Sequence, residues 1–142
     1  MASEARLYTF SSDTKEKLRK FRLGTSRAKD PQAVIYQIDK KTLEIKPASD
    51  EVFTKLTDVS DELPDNNPRF VLLSYPMTLS SGRMSVPYVM LNYLPATTNQ
   101  ETRMLYAGAK ELMRNTAEVN KIIEITEAEE VEDIEEKLKG ED

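Results

Sequence analysis

The chain has 142 residues, enough to bury a core without staples. It contains no Cys and no His, which excludes disulfides, thiolate and imidazole metal ligands, cysteine nucleophiles and every Ser-His-Asp arrangement. Its net charge of −5 is uneven: Glu127 to Asp142 hold nine acids and two lysines, a net −7, so the first 126 residues carry +2, a balance that predicts an acidic protein partner rather than nucleic acid.

No apolar run approaches the roughly 20 residues of a membrane span, and MASEARLYTF lacks a secretory pattern, so a soluble intracellular protein is expected. Ser11, Ser12 and Asp13, with Glu16 three residues after Asp13, predict a helix from Asp13 to about Leu23 with an apolar edge of Leu18 and Phe21. Its Lys15, Lys17, Arg19, Lys20 and Arg22 read, taken alone, as a solvated face. Gly24 is expected to end this helix and Pro31 to keep the next loop from resuming it. Ala33 to Asp39 and Thr42 to Lys46 are β-branched runs around a short charged turn, a hairpin pattern. Val52, Leu56, Val59 and Leu63 fall at helical spacing, predicting a short helix between Ser49 and Leu63 that Pro64 stops.

Phe70 to Tyr75 is a strong strand, and the turn Ser80-Ser81-Gly82 leads into Met84 to Leu94, the longest strand candidate, which should pair with it antiparallel. Pro76 and Pro87 cannot donate to a ladder and mark bulges or unpaired edge positions. Asn99 to Thr116 is the long helix. At 100° per residue it places Leu105, Ala109, Leu112, Met113 and Thr116 on a core face, and Thr98 with Glu101 reads as its capping box. The opposite face collects Gln100, Arg103, Met104, Ala107, Lys110, Glu111 and Arg114. That mixture suits either a solvated surface with one exposed Met or a helix that enters a partner's cleft.

Val119 to Ile125 reads as a strand reached by a right-handed crossover, hence paired in parallel. Thr126 with Glu129 is expected to cap a last helix with a thin stripe of Val131, Ile134 and Leu138. The fold class is therefore α/β (α+β): one domain spanning 1–142, a central mixed sheet of about five strands with helices on both faces, a flexible segment 1–10, and an acidic helix and tail at 127–142.

Four separated segments, EKLRKFR (Glu16 to Arg22), DELPDNNPRF (Asp61 to Phe70), GRMSVP (Gly82 to Pro87) and MLYAGAKELMRNTAEVNKIIEI (Met104 to Ile125), agree in order and spacing with one family. Over about Asp13 to Ile125 the chain resembles the glia maturation factors, members of the actin-depolymerising-factor homology superfamily that includes cofilin. The resemblance implies a regulator of the actin cytoskeleton with no catalysis and no cofactor. It implies a monomer in the cytoplasm at cortical actin, with a nuclear pool also compatible, that binds neither nucleic acid nor membrane.

It further implies binding to the actin-related protein 2/3 complex, at the barbed-end cleft of an actin-like subunit, with weak or no direct actin binding. Inhibition of branch nucleation and promotion of debranching go with that partner. Carried onto this chain, the superfamily's principal contact falls on Gln100, Arg103, Met104, Ala107, Lys110, Glu111 and Arg114. The N-terminal segment, Met1 to about Thr9, accompanies it. Ser3 occupies a position where cofilin is regulated by phosphorylation, in different flanking sequence, and Lys20 and Arg22 are family-matching basic positions.

The departures from cofilin matter. Asn115 and Thr116 stand where actin-binding relatives continue with lysines, only Arg83 remains basic in the hairpin, and the final helix is acidic. Acidic filaments should be repelled by that helix. Gly82 and Arg83 are either a second contact surface or an ordinary turn. Two other readings stay open: a cofilin-like binder of actin monomers or filaments, and an enzyme relying on carboxylates, Ser or Lys. For the second there is no glycine-rich phosphate loop, nucleophile elbow or paired-carboxylate motif.

Overall fold

The computed structural model describes residues 7–25 and 29–139. Its elements run α1 (Ser12–Thr25), β1 (Gln32–Ile38), β2 (Ile45–Pro47), α2 (Leu56–Glu62), β3 (Arg69–Ser74), β4 (Met77–Thr78), β5 (Met84–Ser85), β6 (Tyr88–Tyr93), α3 (Gln100–Ala117), β7 (Lys121–Ile125), a 3-10 turn (Ala128–Val131) and α4 (Ile134–Lys139). Five strands form one mixed sheet in the order β2-β1-β3-β6-β7. All neighbours are antiparallel except β6 and β7, which the α3 crossover leaves parallel.

Both faces of the sheet are covered, which is why its central strands carry consecutive buried apolar residues, Phe70 to Leu73 in β3 and Tyr88 to Leu91 in β6. In β3, Phe70 and Leu72 pack under α1 and α3 with Leu18, Tyr106 and Met113, whereas Val71 and Leu73 pack against Val59 of α2 and Ile134 and Leu138 of α4. A one-residue slip of this strand would exchange the two sets, so register and layer assignment are one constraint.

Several boundaries differ from the sequence pattern. Helix α1 is capped by Ser11, whose Oγ accepts the Thr14 amide at 3.0 Å, and it runs through Gly24 to Thr25. Gly24 lacks the left-handed φ of a terminating glycine. Residues 49–55 are not helical: Phe53 and Ala33 exchange backbone bonds of 2.8 Å, which hold the chain extended, and Val52 is exposed. Only Leu56–Glu62 coils into α2. The second hairpin strand is shorter and later than Thr42 to Lys46, because Leu43 sits at φ 62 and continues the turn.

Met84 to Leu94 is not one strand. Pro87 separates β5 from β6, and β5 pairs with β4 in a small ribbon outside the main sheet. Gly82, at φ 89, closes the ribbon turn. The last helical segment starts as a 3-10 turn whose capping box is Glu127 with Glu130 rather than Thr126 with Glu129. Within the stretch expected to be flexible, residues 7–10 are tied down: Thr9 exchanges backbone bonds with Leu43 and Ile45 at 3.1 and 2.8 Å, and Tyr8 is buried.

Candidate partner-binding face

Helix α3 begins at Asn99, not at the Thr98/Glu101 box. The Asn99 side chain accepts the Thr102 amide at 2.8 Å, and the buried Thr98 hydroxyl has no partner among the described residues. The buried stripe is Thr102, Tyr106, Ala109, Met113 and Ala117, rotated from the expected one so that Leu105, Leu112 and Thr116 flank it half-buried. Tyr106 causes the rotation. Its ring packs on Phe70, with centroids 5.3 Å apart, and its hydroxyl accepts the buried Ile38 amide at 3.0 Å. From the other side Tyr8 donates to the Leu105 carbonyl at 2.7 Å.

With the helix fixed this way, Gln100, Met104, Ala107 and Glu111 are exposed, and Arg103, Lys110 and Arg114 lie half-buried beside them. The whole outward set expected from the helical wheel is thus on one side of α3. Met104 is 63% exposed and Leu7, from the N-terminal segment, 60%. With Leu43, Leu105, Ala107 and Gly108 they line a groove of about 560 Å³ between that segment and α3. Lys40, Glu101 and Thr102 also line it, so the groove is an apolar strip with charged edges.

The cations on this face are engaged within the chain. Arg103 donates to three carbonyls of the preceding loop, Thr98 at 3.3 Å and Pro95 and Ala96 at 3.2 Å, and so anchors the loop as well as presenting a charge. Lys110 reaches Glu124 on β7 at 3.5 Å, Arg114 meets Glu111 at 3.0 Å, and Arg22 of α1 meets Glu118 at 3.2 Å.

The remaining expected positions are elsewhere. Lys20 is exposed and lines a different groove, of about 460 Å³, between α1, β1 and the Pro47–Val52 stretch. Gly82 and Arg83 are at the tip of the β4–β5 ribbon, next to Met84, which is 71% exposed. Ser3 lies outside the described residues. Leu43, Asn92, Glu118 and Glu124 belong to the neighbourhood of the face and were not expected there. Leu43 reaches it through a left-handed turn, and the other three are brought beside α3 by the sheet and the helix end, which no local pattern encodes.

Tyr75, just after β3, donates a hydrogen bond to Glu135 of α4, which pushes the phenol up to about 12 with help from burial. Lys139, 2.8 Å away, and then Tyr75 hold the Glu135 carboxyl below its ordinary range. The Tyr75 bond ties the acidic helix to the end of β3, and the Lys139 pair lies within the helix.

Residues 7–139 match the family described as cofilin/tropomyosin-type actin-binding protein. Protein AIM7 of Saccharomyces cerevisiae is 36% identical over 127 residues, covering 84% of this chain and 85% of that protein. Human glia maturation factor beta is 35% identical over 122 residues, covering 85% and 84%. The solution structure of glia maturation factor from Caenorhabditis elegans superposes with a TM-score of 0.73 at 31% identity, covering 92% and 93%. The shared sheet, the flanking helices and this identity over most of both chains lead to one conclusion: the chain belongs to the glia maturation factor family of cofilin/tropomyosin-type actin-binding proteins and is an actin-related regulator.

Proposed function

We propose that this protein binds the actin-related protein 2/3 complex by inserting α3 into the barbed-end cleft of an actin-like subunit, and thereby inhibits branch nucleation and promotes debranching in cortical cytoplasm. The observation that carries the reading is the Leu7–Met104 groove, an exposed apolar strip running from the N-terminal segment onto the outward face of α3. A helix presented with one flexible apolar anchor and small neighbours is suited to a cleft.

The mechanism needs no bond to be made or broken. A protein that occupies the cleft competes with the first actin of the daughter filament, so higher affinity for the unoccupied state both blocks nucleation and favours branch loss. A contact of standard size, on the order of 1,600 Å² in total, would be dominated by a few central residues. The β4–β5 ribbon, with Gly82 and Arg83 at its tip and exposed Met84 and Val86 beside them, is the proposed second surface during debranching.

Binding of the purified protein to the complex, beside monomeric and filamentous actin at equal ionic strength, tests the proposal. Selective retention by the complex is the expected result. Preference for actin would replace it with a cofilin-like reading, which the shared fold also accommodates.

A further inference from the structure

Two residues beside α3 adopt arrangements that local energetics disfavour. Glu118 ends the helix in the left-handed region, at φ 58 and ψ 41, where glycine or asparagine carries less strain. Asn92 is buried with its Oδ1 lacking a hydrogen-bond partner among the described residues, although a buried amide normally satisfies both ends. Such departures tend to be kept where they serve a site.

What the two side chains hold gives the reason. The Glu118 carboxylate lies 3.2 Å from Nε of Arg22. Asn92 donates its amide N–H to Oε1 of Glu124 at 2.9 Å, and Oε2 of Glu124 faces the Lys110 ammonium at 3.5 Å. With Arg114 on Glu111 and Arg103 on loop carbonyls, each basic residue of the outward α3 face, and Arg22 beside it, has an acceptor within the chain.

We infer that Glu118 and Glu124 are specificity determinants, carboxylates that mask Arg22 and Lys110 so that the face selects a partner through its apolar strip and rejects a surface dense in acids. This rests on the reading of the outward α3 face as the docking surface. An acidic partner approaching the masked cations gains little attraction and meets two carboxylates of like sign. The strained Glu118 backbone is the structural cost of placing one carboxylate, and the Asn92 amide bond holds the other.

The test compares wild type, the double variant Glu118→Gln/Glu124→Gln and the single variant Glu118→Gly. Binding to monomeric actin, filaments and the actin-related protein 2/3 complex is measured at about 0.05 M and about 0.3 M salt. The double variant is expected to gain ~3- to 10-fold in affinity for actin at the lower salt and to lose that gain at the higher salt, so that its preference for the complex over actin narrows only at the lower salt. Glu118→Gly relieves the left-handed strain, so its thermal midpoint should rise while it shows a smaller actin gain of the same kind.

Unchanged actin affinity at both salts, or a gain that survives high salt, overturns the inference, as does a Glu118→Gly variant that gains stability alone. The parent reading fails separately. A wild type that ignores the complex overturns that reading, while a salt-sensitive actin gain in the double variant would still support masking.

Discussion

Met104 and Arg103 are neighbours on α3 whose substitutions should separate binding from folding. Met104 is largely exposed, so Met104→Ala is expected to leave stability within about 0.5 kcal/mol of wild type. Binding to the complex should nevertheless fall sharply. Arg103→Ala releases three loop carbonyls and should cost about 1 kcal/mol of stability as well as affinity. Paired urea melts and pull-downs on the two single variants check this, and the double variant should bind least. Glu135→Ala, on α4, is the control: it loses its bonds to Tyr75 and Lys139 but should bind like wild type. Equal loss of binding in both cases, with folding intact, would argue against α3 as the contact.

At the scale of the element, α3 is positioned by one phenol. Tyr106→Phe keeps the ring on Phe70 but leaves the buried Ile38 amide without its acceptor, a loss expected to cost about 1–3 kcal/mol. Denaturation should report that cost, and amide exchange at Ile38 should accelerate. Helix α1 offers the opposite case. Gly24 lies inside the helix, and a Cβ placed there meets nothing within 4 Å, so Gly24→Ala should stabilise by about 0.5–1 kcal/mol. A lower thermal midpoint in that variant would overturn this expectation.

For the molecule as a whole, charge and pH are linked through the acidic C-terminal segment. Burial disfavours the Glu130 carboxylate, but the amides of Thr126 and Glu127 and the Lys137 ammonium outweigh that penalty and bring its pKa down to about 2. A carboxyl whose folded pKa lies below its unfolded value of 4.5 contributes stability that is fully present above that value and is lost as pH falls toward about 2. Urea unfolding of wild type across this interval should therefore show declining stability, and Glu130→Gln should flatten the decline. The effect is limited by a side chain that is 32% exposed. The same segment leaves residues 1–126 with a net charge of +2 against −7 in the final 16 residues, so the chain's acidity is concentrated at the α4 end.

Because a 3.6-residue pattern and an apolar run each follow from local geometry, periodicity and turn chemistry were sufficient to read α3, the five strands of the main sheet and the outward set on α3, but not the separate β4–β5 ribbon. The same information misassigned residues 49–55 and the two capping boxes. Phe53 is extended because Ala33 takes its backbone bonds, and Asn99 displaces Thr98 as cap because the Thr98 side chain is buried. Competition of this kind is decided by whichever partner the fold brings near. The apolar face of α3 was legible to within one rotation, while its true direction was set by Tyr106 meeting Phe70 and Ile38, residues of distant strands. The masking of Lys110 by Glu124 and of Arg22 by Glu118 depends on parallel pairing and on a left-handed helix end. The sequence by itself determined, through helical period, which residues share the outward side of α3; only the tertiary structure fixed the helix's direction and brought carboxylates to Lys110 and Arg22, because such ion pairs form between residues made neighbours by folding.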